Sequence, residues 1–193
     1  MINPTPGEIK KIFDNYFIAD INLWAEFSKY ISVRSFRKNE IIKDYYHTEK
    51  HVNILVRGSV GLFVWGHNKA ICINLYYENH LFSDYLSFLK QQPTAIKSES
   101  LEDTVVWSIH HTDLNSLYEK SIHGVQIGKA ISDAMFIRKQ SEQINLLTLT
   151  PTERYLKLIA ERPEIFRRTP LKIVASYLGL TAESLSRIRK RIP

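Results

Sequence analysis

The side chains best suited to recognising another molecule lie near the end of the chain. A helix there turns Glu183 and Arg187 to one side, because residues four positions apart are neighbours on a helix. An arginine can bridge O6 and N7 of guanine, a carboxylate can accept a hydrogen bond from N4 of cytosine, and flanking cations suit phosphates. The residues expected to contact DNA are Thr181, Ala182, Glu183, Ser184, Ser186, Arg187, Lys190 and Arg191.

The same spacing of Glu183 and Arg187 also suits a simpler interpretation. The two side chains would then form an ion pair on the helix surface, worth about 0.2–0.5 kcal/mol. Such a pair would also hold the arginine in place for a base contact, so the sequence allows both roles together.

The residues around Gly179 have the spacing of a helix-turn-helix. Gly179 allows the left-handed backbone of the turn, and Thr181 is a good N-cap for the second helix. Ala175 is small where the two helices cross. The apolar positions that would pack the helices together are Leu171, Val174, Leu178, Leu180, Leu185 and Ile188. The pattern predicts a second helix that enters the major groove with its N-terminal residues near the base edges.

The charge of the chain is concentrated in the same region. The formal net charge of the 193 residues is +6, whereas residues 1–150 sum to zero. Residues 151–193 hold ten basic and four acidic side chains. Apolar residues recur throughout this segment, which favours a folded domain that binds a polyanion over a solubilising tail.

The rest of the chain predicts an α+β protein. Apolar steps of three and four indicate helices in the first thirty residues, at Ile9, Ile12, Phe13, Tyr16, Phe17, Leu23, Trp24 and Phe27. From Ile31 to Ile109, short alternating stretches predict a β-barrel or roll, with breaks at Gly58, Gly61 and Gly66 and a hairpin turn over residues 66–69, His67 included. A helical pattern from Asp113 to Leu149 then gives expected domains of 1–112, 113–149 and 150–193.

The long helix carries a stripe of small and β-branched residues. The stripe consists of Ala130, Ala134, Ile137, Ser141 and Ile144, at steps of four and three. Such a stripe lets two helices approach closely, which favours a dimer seam, although a helix lying on its own barrel uses the same pattern. After it, Thr150, Pro151 and Glu153 form a capping box that begins the last domain.

The composition excludes several other classes of site. The single cysteine, Cys72, excludes an internal disulfide, a zinc ribbon and a cysteine-ligated iron–sulfur cluster. The seven histidines, His47, His51, His67, His80, His110, His111 and His123, are scattered, and adjacent strand residues such as His110 and His111 would point to opposite faces.

The first residues lack the pattern of a signal peptide, and no apolar run suits a membrane helix, so we expect a cytoplasmic protein without a membrane partner.

A small β-barrel, a long helix and a terminal helix-turn-helix together resemble the bacterial Crp/Fnr family of transcription regulators. The best-matching stretches are residues 53–64, with their glycine-marked strands, and residues 181–191. The resemblance implies a jelly-roll-like cyclic-nucleotide-binding fold, a homodimer paired along the central helix, and a trimmed winged-helix-like domain. It also implies binding to near-palindromic promoter DNA, action together with RNA polymerase, and an effector in the barrel. Glu183 and Arg187 match two base-reading positions, while Ala182 stands where many members have arginine.

The expected effector site departs from the family pattern. Cyclic-AMP-binding members have Phe-Gly-Glu-Leu followed by Arg-Ser-Ala, whereas this chain has Phe82-Ser83-Asp84-Tyr85 and then Thr94-Ala95. The missing arginine removes the side-chain cation for the phosphate, and Lys97 would be displaced from its place by about 7 Å along a strand. The resemblance places a small-molecule effector against Phe82, Ser83, Asp84, Tyr85, Thr94, Ala95 and Lys97. A cyclic nucleotide is doubtful there.

Other functions stay open at this point. The aromatic residues around the barrel would suit a pocket for a planar or apolar effector, or simply its core. A cupin-type metal enzyme would need a His-x-His cluster with a nearby acid, which this sequence lacks. No metal site and no catalytic residue is therefore predicted. A helix-turn-helix that docks a protein instead of DNA would bind every duplex weakly and uniformly.

Overall fold

The structure is a computed structural model that describes residues 4–66 and 68–192. Its helices are α1 (Pro6–Phe13), α2 (Ile21–Ser28), α3 (Tyr85–Lys90), α4 (His111–Lys120), α5 (Ile122–Thr148), α6 (Pro151–Glu161), α7 (Glu164–Arg168), α8 (Leu171–Tyr177) and α9 (Ala182–Arg191). Its strands are β1 (Ile31–Phe36), β2 (Ile41–Lys43), β3 (His51–Arg57), β4 (Val60–Gly66), β5 (Lys69–Tyr76), β6 (Leu81–Phe82), β7 (Ile96–Ser100) and β8 (Thr104–His110).

The predicted helices at the N-terminus are confirmed. Thr5 and Glu8 form a capping box that begins α1, with the Glu8 amide donating to the Thr5 hydroxyl at 3.3 Å. The ring of Trp24 on α2 is fully buried and stacks on Phe13 of α1, with centroids 4.9 Å apart. Phe27 packs edge-on against both rings. This aromatic cluster closes one side of the roll.

The predicted roll is also confirmed, as two antiparallel sheets of four strands each within the described ranges. The strand orders are β1–β8–β3–β6 in the first sheet and β2–β7–β4–β5 in the second. Tyr76, Phe82 and Val106 lie between the sheets and are essentially fully buried. The outer face of the first sheet, including Ile54 and Trp107, packs against the helices.

Two of the three predicted glycine breaks hold. Gly58 has φ of +96°, and a Cβ there would lie 2.7 Å from the Asp103 carbonyl oxygen, so the chain turns at this glycine. The break expected at Gly61 is wrong, because Gly61 lies inside β4 and pairs with its neighbours on both sides. A Cβ at Gly61 would meet the Phe63 ring at 2.6 Å, so the missing side chain makes room for that ring. β4 ends at Gly66, which pairs with Lys69, while His67 of the expected turn lies outside the described residues.

One continuous helix from Asp113 to Leu149 was the wrong expectation. The helical region begins at His111 and breaks at Ser121, whose backbone is extended with φ of −150°. The Ser121 hydroxyl accepts from the His123 amide at 3.2 Å and so caps α5. Gly124 allows α5 to pass close to α4, since a Cβ there would lie 2.7 Å from the Leu117 carbonyl oxygen.

α5 turns Ile127, which is 4% exposed, toward the rest of the chain. Most of the small and β-branched stripe faces elsewhere, because Ile137 and Ile144 are 65% and 51% exposed and Ser141 is exposed too. Ala130 and Ala134 are half-buried. The second half of the stripe therefore does not pack on the roll.

The C-terminal helices form one hydrophobic core with the second sheet. The capping box predicted at Thr150 and Glu153 is present and begins α6. Leu158, Val174 and Leu185 are buried in a cluster that also contains Leu75 of β5. Among the helices in residues 4–66 and 68–192, none is long and apolar enough to cross a membrane.

Candidate nucleic-acid interface and effector site

The helix-turn-helix predicted around Gly179 is present as α8 and α9. Gly179 has φ of +71°, and the Leu180 amide donates to the Ala175 carbonyl oxygen at 2.8 Å, which closes the turn. Ala175 is 1% exposed, as the close crossing of the helices requires. The Thr181 hydroxyl accepts from the Ser184 amide at 3.1 Å and caps α9. The turn and the cap thus fix the direction of α9.

α9 presents a basic face to solvent. Glu183, Arg187, Lys190 and Arg191 are exposed, as is the capping residue Thr181. The other residues expected to contact DNA, Ala182, Ser184 and Ser186, are half-buried and contribute less surface. Leu185 is fully buried and holds the opposite side of α9 against the core. The exposed residues lie together on one side of α9.

The ion pair between Glu183 and Arg187 is absent from the described part of the chain. The Arg187 guanidinium instead donates to the Ser184 hydroxyl, at a long 3.4 Å. The pKa of Glu183 is lowered mainly by a hydrogen bond with its own backbone amide and then by the Thr181 hydroxyl, with Arg187 contributing least. Among residues 4–66 and 68–192 Arg187 therefore has no carboxylate partner, and its guanidinium is available to an external acceptor.

The expected effector site is closed by a lysine that sequence analysis did not select. Lys43 donates through its ammonium group to Asp84 Oδ2 at 2.8 Å, to Thr94 Oγ1 at 3.0 Å and to the Ile96 carbonyl oxygen at 2.7 Å. Thr94 also donates to Asp84. The side chains of Lys43 and Asp84 are 4% and 0% exposed. All three ammonium protons are used internally, so this group has no donor left for a phosphate.

The expected effector residues Lys97 and Ala95 do not join this cluster. Lys97 pairs with Glu99 on the outer side of β7 and lies over the Tyr45 ring at 5.4 Å, so it faces away from the buried pair. The amide of Trp65 donates to the Ala95 carbonyl oxygen at 3.0 Å, which uses Ala95 in backbone pairing. Lys97 therefore does not stand in for the missing arginine.

The side chains of Phe82, Ser83 and Tyr85 contact residues outside the cluster of Lys43, Asp84 and Thr94. Phe82 is fully buried against the Tyr76 ring inside the roll, at 5.7 Å between centroids. The Ser83 hydroxyl donates to the His51 carbonyl oxygen at 2.9 Å. The hydroxyl of Tyr85 reaches Ser132 on α5, at 3.1 Å between oxygens.

The histidines do not form a metal site in the described residues. His110 is the last residue of β8 and His111 the first of α4, so the picture of two adjacent strand residues was wrong. The ring of His51 lies edge-on to that of His110, 5.2 Å between centroids. Burial lowers the pKa of His51 to about 4, so its ring is neutral near pH 7. No group of three or more potential metal ligands occurs in residues 4–66 and 68–192, and His67 lies outside them.

An arginine clamp joins the helix-turn-helix region to the roll. Arg168, the last residue of α7, pairs with Glu78 at 2.7 Å and with Glu102 at 2.6 Å, and it donates to the Gly58 carbonyl oxygen at 3.0 Å. Tyr77 lies beside this clamp and is hydrogen-bonded to Thr169.

A second set of polar contacts joins β5 to the C-terminal helices. The Cys72 amide donates to the Ser176 hydroxyl on α8 at 2.9 Å, and Arg162 donates to the Leu75 carbonyl oxygen at 2.9 Å. The position of α8 and α9 is thus fixed by polar contacts as well as by the shared core.

The clamp predicts a pH dependence of stability. Hydrogen bonds from Arg168 lower the pKa of Glu78 to about 2, from an ordinary value of 4.5, and lower that of Glu102 as well. A depressed carboxyl pKa stabilises the fold above about pH 4.5, and this contribution is lost as the pH falls toward 2. We expect the free energy of unfolding to drop between about pH 6 and about pH 3, and to drop less in Arg168→Gln.

Urea unfolding of the wild type, Arg168→Gln and Arg167→Gln at the two pH values measures this dependence. Arg167 is the exposed neighbour on α7 and serves as the matched control. If Arg168→Gln showed the same pH dependence as the wild type, Glu78 and Glu102 would not be stabilised by the clamp.

A roll of two antiparallel sheets, a long helix and a terminal helix-turn-helix form the fold of Crp/Fnr-type regulators, and solved structures confirm it for this chain. FixK2 from Bradyrhizobium japonicum superimposes with a TM-score of 0.71 at 18% identity, over 83% of each chain. CLP, the c-di-GMP-responsive global regulator of Xanthomonas campestris, gives 0.69 at 14% identity, over 89% of this chain and 91% of that one. The catabolite activator protein of Thermus thermophilus gives 0.54 at 16% identity, over 84% and 78%.

No protein-family model matches the chain, and no curated protein sequence matches it significantly. The superpositions establish the fold, although the sequence identities to these three structures are only 14–18%. The resemblance seen in the sequence is therefore confirmed at the level of architecture, and the contacts of individual residues have to be argued from this chain.

Proposed function

We propose that the protein is a sequence-specific DNA-binding transcription regulator. The observation that carries this proposal is the exposed face of α9, where Glu183 and Arg187 project from a capped helix with basic residues behind them. In a helix-turn-helix the second helix enters the major groove, and its first turns read base edges. Arg187 reads guanine and Glu183 accepts from cytosine, while Lys190 and Arg191 bind phosphates.

The regulator acts as a homodimer. The stretch of α5 from Phe136 to Leu147 leaves Phe136, Ile137, Ile144 and Leu147 between 51% and 76% exposed. These side chains recur at steps of one, seven and three, so they lie along one broad side of the helix. An apolar stripe of this kind on a charged helix is covered well by the same stripe of a second copy. The two recognition helices of the dimer would then read two half-sites of near-palindromic promoter DNA.

The other expected features belong to the same proposal. Residues 1–112 form the effector domain, 113–149 the dimerisation segment and 150–193 the DNA-binding domain. The protein works in the cytoplasm, at promoters and together with RNA polymerase, and it catalyses no reaction. Two of the similar structures are themselves described as a global regulator and as an activator, which supports the class of function.

Selection of duplexes from a random pool tests the proposal. We expect enrichment of one near-palindromic sequence whose half-sites lie about 10–10.5 base pairs, or a multiple of that, from centre to centre. Enrichment of a lone half-site would contradict the dimer. Uniform weak retention of all duplexes would contradict sequence reading and favour a helix-turn-helix that docks a protein.

The effector domain does not bind cyclic AMP in the usual way. Lys43 binds Asp84 and Thr94, which by the resemblance stand where cyclic-AMP-binding members have the ribose-binding glutamate and the phosphate-binding arginine. These groups therefore already have internal partners. Opening the Lys43–Asp84 pair would leave two charged groups without partners in an environment that contains little water, which costs several kcal/mol. The competing function, an ordinary cyclic-AMP-gated regulator, would need a nucleotide that repays this cost.

Calorimetric titration of the dialysed protein with cyclic AMP distinguishes the two. We expect no saturable heat at about millimolar nucleotide, which corresponds to a binding free energy weaker than about −4 kcal/mol. Tight stoichiometric binding would show that Thr94, Lys97 or backbone amides replace the missing arginine, and the protein would then be an ordinary cyclic-AMP-gated regulator.

A further inference from the structure

A cavity of about 250 Å³ lies outside the roll, between the first sheet and the surrounding helices. Its floor is formed by Val52, Ile54 and Ile109, which are side chains of the outer sheet face. Phe27 of α2 and Ile131 of α5 line its walls. Phe82, Ser83 and Tyr85 of the expected effector stretch also line the cavity, whereas Lys43, Asp84 and Thr94 do not. The cavity therefore adjoins that stretch but does not include the buried Lys43–Asp84 pair.

The walls of the cavity are mainly apolar and contain few polar groups. The hydroxyls of Tyr85 and Ser132 are paired with each other at 3.1 Å. Tyr118 also lines the cavity, and its hydroxyl forms no hydrogen bond with the described residues. Burial raises the pKa of Tyr118 to about 12, so the phenol stays a neutral donor near pH 7. Gly128 makes room for this ring, since a Cβ there would lie 2.7 Å from the Tyr118 oxygen.

The charged groups of the cavity leave one unbalanced cation. Glu26 and Lys120 both line it, and Lys120 is exposed at one side. Glu26 is paired with Lys29 at 2.5 Å. Lys120 has no carboxylate partner in the described part of the chain, and its ammonium group is held by the Tyr30 hydroxyl at 3.2 Å. The excess charge beside this apolar space is therefore positive.

We propose that this cavity binds an apolar monocarboxylate, with its alkyl or aromatic body between the sheet and α5 and its carboxylate at Lys120. The volume sets the size. A dry cavity of about 150 Å³ accepts benzene, so by proportion this one accepts about ten non-hydrogen atoms. Apolar walls with a few placed polar groups are the ordinary composition of a small-molecule site. The Tyr118 phenol and the Lys120 ammonium group, which has no carboxylate partner among the described residues, supply those polar groups here.

Such a ligand would contact α4 and α5 on both sides of their break at Ser121. Leu117 and Tyr118 of α4 line the cavity, as do Gly124 and Ile131 of α5. A bound acid therefore stabilises one arrangement of α5, the helix that leads to α6 and the helix-turn-helix. The ligand site itself does not depend on DNA binding.

Calorimetric titration of the full chain with octanoate, which has ten non-hydrogen atoms, tests the proposal, and octan-1-ol serves as the uncharged comparison. We expect saturable binding of octanoate at one site. Lys120→Gln should weaken octanoate about three- to fivefold and leave octan-1-ol unchanged, because the lysine is exposed and screened. Lys129→Gln, an exposed lysine of α5 outside the cavity lining, is the matched control and should change neither.

Two further measurements locate the site. Ile131→Phe fills the cavity and should abolish binding of both compounds, with thermal unfolding used to verify the fold. If that variant does not fold, the amide NMR shifts of Gly124 and Gly128 in the wild type decide, and both should move with octanoate. Absence of saturable binding, shifts confined to other residues, or unchanged octanoate affinity in Lys120→Gln would each overturn the proposal.

Discussion

Replacing Arg187 with alanine is expected to lower the preference for the selected duplex over a scrambled one by about 5- to 150-fold for each half-site. A bidentate arginine–guanine contact contributes about 1–3 kcal/mol of discrimination, which corresponds to that range. Arg187 is exposed, and its only described hydrogen bond is the long one to Ser184, so the substitution leaves the fold intact. Binding to the scrambled duplex should weaken far less. Fluorescence anisotropy with both duplexes at one salt concentration measures the ratio.

Lys190→Ala is the matched comparison on the same helix. Lys190 is exposed and expected at a phosphate, so its loss should weaken binding to both duplexes alike and reduce the slope of log affinity against log salt by about one for each subunit of the dimer. The two variants therefore distinguish a base contact, which determines sequence preference, from a phosphate contact, which contributes affinity to any duplex. If Arg187→Ala kept the full preference, or if the two variants behaved alike, Arg187 would not be the residue through which α9 reads the DNA sequence.

Replacing Lys43 with methionine is expected to destabilise the fold by about 3–5 kcal/mol, because the Asp84 carboxylate would remain buried without its cation. Both side chains are at least 96% buried, and the ammonium group serves three acceptors. Lys43→Met/Asp84→Asn should recover more than half of that loss, since the amide needs no counter-charge. Urea denaturation of the wild type, both single variants and the double variant gives the coupling energy of the pair.

The same substitution at an exposed pair provides the control. Lys129 and Asp133 pair across one turn of α5 with both side chains more than half exposed, so Lys129→Met should cost less than about 0.5 kcal/mol. A loss at Lys43 no larger than at Lys129 would mean that the pair at Asp84 is not closed in solution. The effector site would then be open to an anion.

The sequence predicts best where the structure is local. Gly179, Ala175 and Thr181 each have a role set by neighbours within a few residues, so their spacing alone was enough to place the turn, the crossing and the cap. The same holds for the capping boxes at Thr5 and Thr150, although only the second was predicted. Turns and helix caps of this kind depend only on residues close together in the sequence, so a short segment is enough to predict them.

Contacts between distant segments could not be predicted in this way. Lys43 and Asp84 are 41 positions apart, and Arg168 and Glu78 are 90 apart. A lysine that follows two isoleucines in a short strand gives no signal that its side chain points inward. The missing arginine is therefore visible in the sequence, whereas the inward-pointing Lys43 that binds Asp84 and Thr94 is not.

The break at Ser121 had a weak signal that the apolar spacing concealed. Serine is a good N-cap, and Gly124 lowers helix propensity three residues later, but the helical pattern continues on both sides. The close approach of α4 and α5 at Gly124, which the break allows, is a tertiary contact. It also creates the apolar space beside Tyr118, which no periodicity would indicate.

The most direct measurement is the affinity of the wild-type protein for its selected duplex relative to a scrambled duplex, at one salt concentration near physiological. A regulator that reads sequence through α9 should prefer the selected duplex by at least about 10³-fold. Equal affinity for the two duplexes would contradict sequence reading, and the basic face of α9 would then serve only a sequence-independent polyanion contact.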